Sequence, residues 1–187
     1  MERAVRVKHE RRLAKLGWSH ALEPPDDGLW AAGDPPPREG NSLEVLVDGA
    51  DALPRIAEAL RGAQSFVHLT GWHVAPSFEL ERGVPASSIG HLLGEVSERI
   101  PVRVLVWSGA PVPVFPPSRS QVRKGIGQLV RQTQIECHPD PREHPFHCHH
   151  EKTIVVDGQL AFVGGIDLTD LGGDRFDTSG HPARCLL

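Results

Sequence analysis

Cysteine is scarce in this chain of 187 residues, and the scarcity excludes one architecture at the outset. Cys137, Cys148 and Cys185 are odd in number and too sparse for the disulfide framework of a small secreted domain, so a reducing compartment fits best. Long apolar runs are lacking too: none approaches the roughly 18 to 20 residues that cross a bilayer. The basic N-terminus has no apolar stretch behind it, so neither a spanning helix nor a secretory signal is expected. These absences place the chain in the cytoplasm, at most peripheral to a membrane. A large charge excess is missing as well, since a net −4 gives no general pull toward nucleic acid. The charge is uneven, however. Residues 1–16 hold six Lys/Arg against two Glu, which makes them +4 and the remainder −8. That segment reads either as a solvated basic helix or as an arm that touches anionic lipid or phosphate.

The residues present are those of an ordinary globular domain, 39% hydrophobic, with 19 glycines and 17 prolines gathered into a few loops. Residues 1–42 read as a basic N-terminal segment and a linker, because Pro24, Pro25, Pro35, Pro36 and Pro37 cannot sustain a helix or a central strand. Residues 43–182 form the folded lobe and 183–187 a tail. The short run 43–47 predicts a strand, and Val47-Asp48-Gly49 supplies turn chemistry. Leu53, Ile56 and Leu60 predict a helix over 52–62 that ends at Gly62. A β-rich stretch follows at 65–72. Ile89, Leu92, Leu93, Val96 and Ile100 then give a helical stripe, and the apolar run Val102–Trp107 predicts a strand buried on both faces. A third helix falls on Val122, Ile126, Leu129 and Val130, with Ser118 or Ser120 as its cap.

Beyond Ile135 the pattern gives one short strand and then two apolar segments, 147–156 and 160–166. Asp157-Gly158 between them is a strong hairpin signal. From Thr169 onward there is no apolar period, so a last helix that would cover the sheet is missing. The alternation predicts an α/β fold with a mixed central β-sheet flanked by helices.

Chemistry concentrates at 147–167. Residues two apart on a strand share a face, so His150 and Lys152 point into one space while Glu151 points away and Asp157 returns from the turn. An imidazole, an ammonium and a carboxylate on a rigid support suit attack at a phosphorus centre. Imidazole is nucleophilic near neutral pH, and an ammonium stabilises charge on non-bridging oxygens. No metal or other cofactor is required. His138, His144, His147, His149, Cys137 and Cys148 are the right ligand types for zinc. Their spacing matches no paired motif, and neighbours on a strand alternate faces, so zinc is not expected. Cys148 reads as a buried small residue rather than a nucleophile. Gly125-Ile126-Gly127 lacks a third glycine and makes no nucleotide loop. Trp72 and His73 either line the mouth of the site or cap a strand end.

The string His150-x-Lys152-x4-Asp157-x6-Gly164-Gly165 resembles the signature of the phospholipase D superfamily. The longer stretch from His149 to Leu168 is similar to its lipid-hydrolysing branch, as are Val47-Asp48-Gly49, Gly71-Trp72, and Arg175-Phe176-Asp177 before His181-Pro182. The resemblance implies one lobe of a two-lobe architecture in which two such motifs meet. One histidine forms a phosphohistidine and the other protonates the leaving alcohol, then activates water. It assigns His150 as nucleophile or acid/base, Lys152 as phosphate clamp and Asp157 as an orienting carboxylate. Gly165 and Asp167 fall where the family's nucleases often carry Gly-Ser-x-Asn, and serve either phosphate contact or strand termination. That departure favours a phospholipid at a membrane surface as substrate and disfavours nucleic acid.

No second His-x-Lys occurs in the sequence. The resemblance therefore implies a phosphatidylcholine-type phospholipase D that is incomplete as a single-motif chain, the amino-terminal half of a two-motif enzyme cut short. The alternatives are a homodimeric phosphodiesterase or nuclease that pairs two copies of His150, and an inactive fragment that binds phosphate or lipid headgroups. Exposed apolar surface is expected where a partner lobe belongs.

Overall fold

The computed structural model describes residues 2–17, 19, 39–81, 83–111, 115–141 and 148–169. The chain separates into two units, Met1–Val45 and Leu46–Leu187. In the first, α1 (Glu2–Lys15) carries Arg12 and Lys15 in its last turn, where cations oppose the negative end of the helix dipole. Most of the proline-rich stretch lies outside the described residues. The strand expected at 43–47 does not form: Leu43 is 92% exposed, Val45 78% and Val47 63%, and no neighbouring strand pairs with them. The apolar side chains are present, but without a ladder partner or a face to bury them an extended run is only extended.

The second unit holds α2 (Asp48–Gly62), β1 (Val67–Gly71), α3 (Ile89–Ser97), β2 (Val102–Trp107), α4 (Arg119–Val130), β3 (Glu136–Asp140), β4 (Thr153–Val156) and β5 (Leu160–Val163). The five strands make one sheet in the order β3-β2-β1-β4-β5. β1, β2 and β3 are parallel, β4 runs antiparallel to β1, and β5 runs antiparallel to β4. The expected α/β class, with a mixed sheet and flanking helices, is the one observed.

Helix ends follow their local chemistry. α2 starts four residues before the expected position 52, and Asp48 and Asp51 supply negative charge to its first turn. Ser88 caps α3 by accepting from the His91 amide at 3.4 Å. Ser118, rather than Ser120, caps α4. It accepts from the Gln121 amide, and the Gln121 side chain accepts from the Ser118 amide at 2.7 Å, a complete capping box.

Register decides which residues become core. Val67 pairs with Val102 and Val156, and Leu69 with Val104 and Ile154, so these side chains line one face. Leu53, Ile56 and Leu60 of α2, Leu92, Leu93 and Val96 of α3, and Val122 and Leu129 of α4 complete a single apolar cluster on that face. β2 is therefore buried on one face rather than two. Arg103 is exposed and Leu105 is 38% exposed, because α2, α3 and α4 all join the cluster on the Val102–Val104–Val106 side. Leu69 is 1% exposed at the centre of this arrangement. Leu69→Ala is expected to lower unfolding stability by about 3 kcal/mol, the usual cost of a lost side chain plus its cavity, read as a shifted midpoint in urea denaturation.

Candidate active site

The three parallel strands end at one edge of the sheet, and the antiparallel β4 begins there. Thr153, its first residue, lies opposite Thr70 near the end of β1. Trp72 follows β1, Trp107 closes β2, and residues 148–152 lead into β4 at the same edge. In sheets of this kind the carboxyl ends of parallel strands are where ligands bind.

His150 and Lys152 lie in this lead-in rather than on the strand itself, since β4 starts only at Thr153. The segment is nevertheless extended enough to keep the alternation. Lys152 Nζ is 3.1 Å from His150 Nε2 and 3.4 Å from the His150 carbonyl. Glu151 faces the other way, accepting from Thr153 Oγ1 at 2.9 Å and lying 3.6 Å from His149 Nε2. An ammonium only donates, so His150 Nε2 accepts and the ring proton sits on Nδ1. The lone pair of Nε2 is thereby aimed at the Lys152 cation.

A carboxylate does join this pair, but it is Asp167. Its Oδ2 is 3.4 Å from Lys152 Nζ, with side chains 11% and 9% exposed, respectively. Position follows from a bridge between Val74 and Leu168: the Ala75 amide donates to the Leu168 carbonyl at 2.9 Å, which draws the segment after β5 against the segment after β1. His73, next to that bridge, is buried, and burial holds its pKa below the ordinary value although the negative charge of Asp167 works the other way. The Trp72 ring lies 5.7 Å from the His150 ring, edge to face at 65°, and stacks on Trp107 at 6.0 Å and 13°. Trp72 and His73 thus belong to the site's surroundings.

Asp157 is not brought to the imidazole. It sits at the far end of β4, at the turn where it takes φ 57° and Gly158 φ 67°, as a primed hairpin turn requires. Its carboxylate accepts from the amides of Gln64 at 2.9 Å, Ser65 at 2.6 Å and Phe66 at 3.1 Å, and these bonds hold its pKa below the usual carboxylate value. The expected orienting role is therefore corrected: β4 separates Asp157 from the lead-in, and its bonds fasten the hairpin to the start of β1. A carboxyl with a lowered folded pKa contributes stability above its unfolded pKa of about 3.9, and that contribution is lost as pH falls through the folded value. Asp157→Ala is expected to lower the urea midpoint at pH 7 and to leave a shallower decline below pH 4, with fluorescence-monitored unfolding at the two pH values as the check.

Gly165 is exposed, and a Cβ there or at Gly164 would meet nothing within 4 Å, so no close backbone approach demands glycine at either position. The Gly164 amide does donate to the Lys152 carbonyl at 3.3 Å, which anchors the lead-in. Cys148 is exposed, contrary to the expected burial, because the lead-in stands outside the ladder. Cys137 is half-buried, and burial pushes its thiol up to about 11. Among the described residues no group of three or more His, Cys, Asp or Glu is placed to hold a metal. His144, His147, Arg175, Phe176, Asp177, His181 and Cys185 lie outside the described residues.

Thr70 Oγ1, Trp107 Nε1, Ser108 Oγ, His149 Nδ1 and Asp167 Oδ1 are buried polar atoms without a hydrogen-bond partner among the described residues. All five belong to the strand ends and connecting segments around this edge. Native interiors rarely leave such groups unpaired. Sequence reading missed Trp107, Ser108 and the pairing of Asp167 with Lys152. The available signal was position, since Trp107 and Ser108 stand at the carboxyl end of a strand in an alternating strand-helix pattern, where α/β sheets bind ligands.

Comparison with known proteins supports the class these features suggest. The sequence model of the Phospholipase D family matches residues 59–186. Similar proteins include phospholipase D zeta 1 of Arabidopsis thaliana, 29% identical over 96% of this chain and 18% of that protein. Phospholipase D2 of Bos taurus is 31% identical over 79% of this chain and 17% of its own length. Among solved structures, Nuc of Salmonella typhimurium, a phospholipase D family member, aligns with a TM-score of 0.46 at 15% identity, covering 64% of this chain and 66% of that one. The chain belongs to the phospholipase D family. It spans less than a fifth of the length of these two phospholipase D relatives. No helix among the described residues is long and apolar enough to cross a membrane.

Proposed function

We propose that this lobe supplies one half of a phosphodiesterase site that cleaves the headgroup ester of a phosphatidylcholine-type phospholipid at a cytoplasmic membrane surface. A second His-x-Lys lobe supplies the other half. The observation that carries the reading is the 3.1 Å contact between Lys152 Nζ and His150 Nε2, with Glu151 turned away. A phosphodiester entering between the two takes the Lys152 hydrogen bond on a non-bridging oxygen and releases the Nε2 lone pair.

One histidine of the assembled pair then attacks phosphorus. The P–N bond forms, the P–O bond to the alcohol breaks, and the departing oxygen takes a proton from the other histidine. Water, losing its proton to that second histidine, attacks phosphorus and breaks the P–N bond, releasing the monoester; an alcohol in place of water gives transphosphatidylation. The names of phospholipase D zeta 1, phospholipase D B and phospholipase D2 among similar proteins favour lipid as substrate.

The test mixes the full chain with a polypeptide that carries the second motif of a two-motif phospholipase D, and assays phosphatidylcholine vesicles. The mixture should turn over, and an acid-labile, alkali-stable phosphoryl label should map to His150 or to the second motif's histidine. Turnover by the chain alone, rising with the square of its concentration, would point instead to self-pairing. Headgroup affinity with no label at either histidine would reduce the lobe to a binding module.

A further inference from the structure

We infer that Asp167 is a specificity-determining residue, which neutralises the phosphate clamp and so removes the preference for dianionic phosphomonoesters that Lys152 alone would impose. This rests on the proposed phosphodiesterase reading. The cation meant to grip phosphate is already 3.4 Å from a carboxylate, and both side chains are about nine-tenths buried. Any anion that contacts Lys152 therefore also meets the charge of Asp167 at short range, where screening by water and salt is weak.

The nearby groups do not cancel that charge. His73 is held toward its neutral form by burial, and Glu151 points away. His150 has its Nε2 occupied by the same ammonium. The Lys152–Asp167 pair is thus neutral as a unit, directional toward phosphate through one N–H of Lys152 but without net attraction. Such a site gives no advantage to the more highly charged ligand. A diester carries one negative charge, whereas the monoester that hydrolysis yields carries close to two above its second pKa of about 6. The doubled attraction of product to Lys152 is offset by a doubled repulsion from Asp167, so product leaves the buried cation about as readily as substrate does.

The test is made on the full chain, without turnover, using methyl phosphate and dimethyl phosphate at pH 8 and low salt by isothermal titration. Because the energy of a removed charge scales with ligand charge, Asp167→Asn should tighten dimethyl phosphate about threefold and methyl phosphate about tenfold, the square of the first factor. Asn keeps an oxygen to accept from Lys152, and Asp167→Ser should show the same ordering. In the native chain the two ligands should bind within about threefold of each other.

Equal gains for both ligands, no gain, or a tenfold native preference for methyl phosphate would overturn the role of Asp167. The phosphodiesterase reading would survive that result provided Lys152→Met abolishes binding. If neither ligand binds the native chain, or if Lys152→Met changes nothing, the phosphate site itself is refuted and the role of Asp167 falls with it.

Discussion

His150→Ala is expected to cut turnover by at least about a thousandfold in the assembled two-motif mixture, some 4 kcal/mol of transition-state stabilisation. In either role the imidazole does what no neighbour can do. Nε2 is the basic nitrogen 3.1 Å from the phosphate-gripping ammonium, while His149 is turned to the other side with Glu151 and His73 is buried. As nucleophile, its loss removes the covalent path altogether; as proton carrier, it leaves the alcohol to depart as an alkoxide. Vesicle hydrolysis, followed by release of the headgroup alcohol, measures the drop. Glu151→Gln is the matched control, since that side chain faces away, and should stay within about twofold of the parent. A similar loss in both variants would show that the lead-in, rather than the imidazole, had been damaged.

Lys152→Met should lower turnover by about a hundred- to a thousandfold, the usual cost of removing a preorganised charge from developing negative oxygens. It also strands Asp167. Breaking a nearly buried ion pair from one side leaves an uncompensated carboxylate and costs about 3 kcal/mol. The two effects separate in the double variant Lys152→Met with Asp167→Asn, which should regain most of the melting temperature and none of the turnover. Lys152→Arg should recover charge and stability but only part of the rate, because a planar fork cannot take the position of a compact ammonium beside the His150 ring. Differential scanning calorimetry and vesicle hydrolysis on the same samples provide both readings. Recovery of turnover in the double variant would remove Lys152 from the proposed chemistry.

Most of the fold could be read from periodicity because local chemistry and tertiary packing agree. The stripe on Leu92, Leu93 and Val96 became the buried side of α3, the run Val102–Trp107 became β2 at the expected ends, and Asp157-Gly158 made its turn. Disagreement arose where pattern lacked a partner. Residues 43–47 alternate well enough for a strand but meet no ladder, and β2 looked doubly buried because apolar content cannot reveal which face the helices choose.

At the site, parity placed His150 and Lys152 together and Glu151 apart, an inference that needs only an extended backbone. Parity is silent about distance along the strand, and so it does not exclude Asp157, five residues past the lysine, as the carboxylate of the site. The carboxylate that reaches Lys152 comes from Asp167, beyond the next strand, through the Val74–Leu168 bridge, a long-range pairing with no local signature.

The pleat leading into β4 acts as a two-sided strip, with His150 and Lys152 printed on one side and His149, Glu151 and Thr153 on the other. An extended chain tolerates no half-steps, so inserting or deleting one residue before Thr153 would exchange the sides. The strip would then offer an acid where it had offered a base and a cation, and the polarity presented to an incoming anion would reverse without any change in the strands themselves. Indel tolerance should therefore end abruptly at this segment, while loops elsewhere on the lobe absorb length freely.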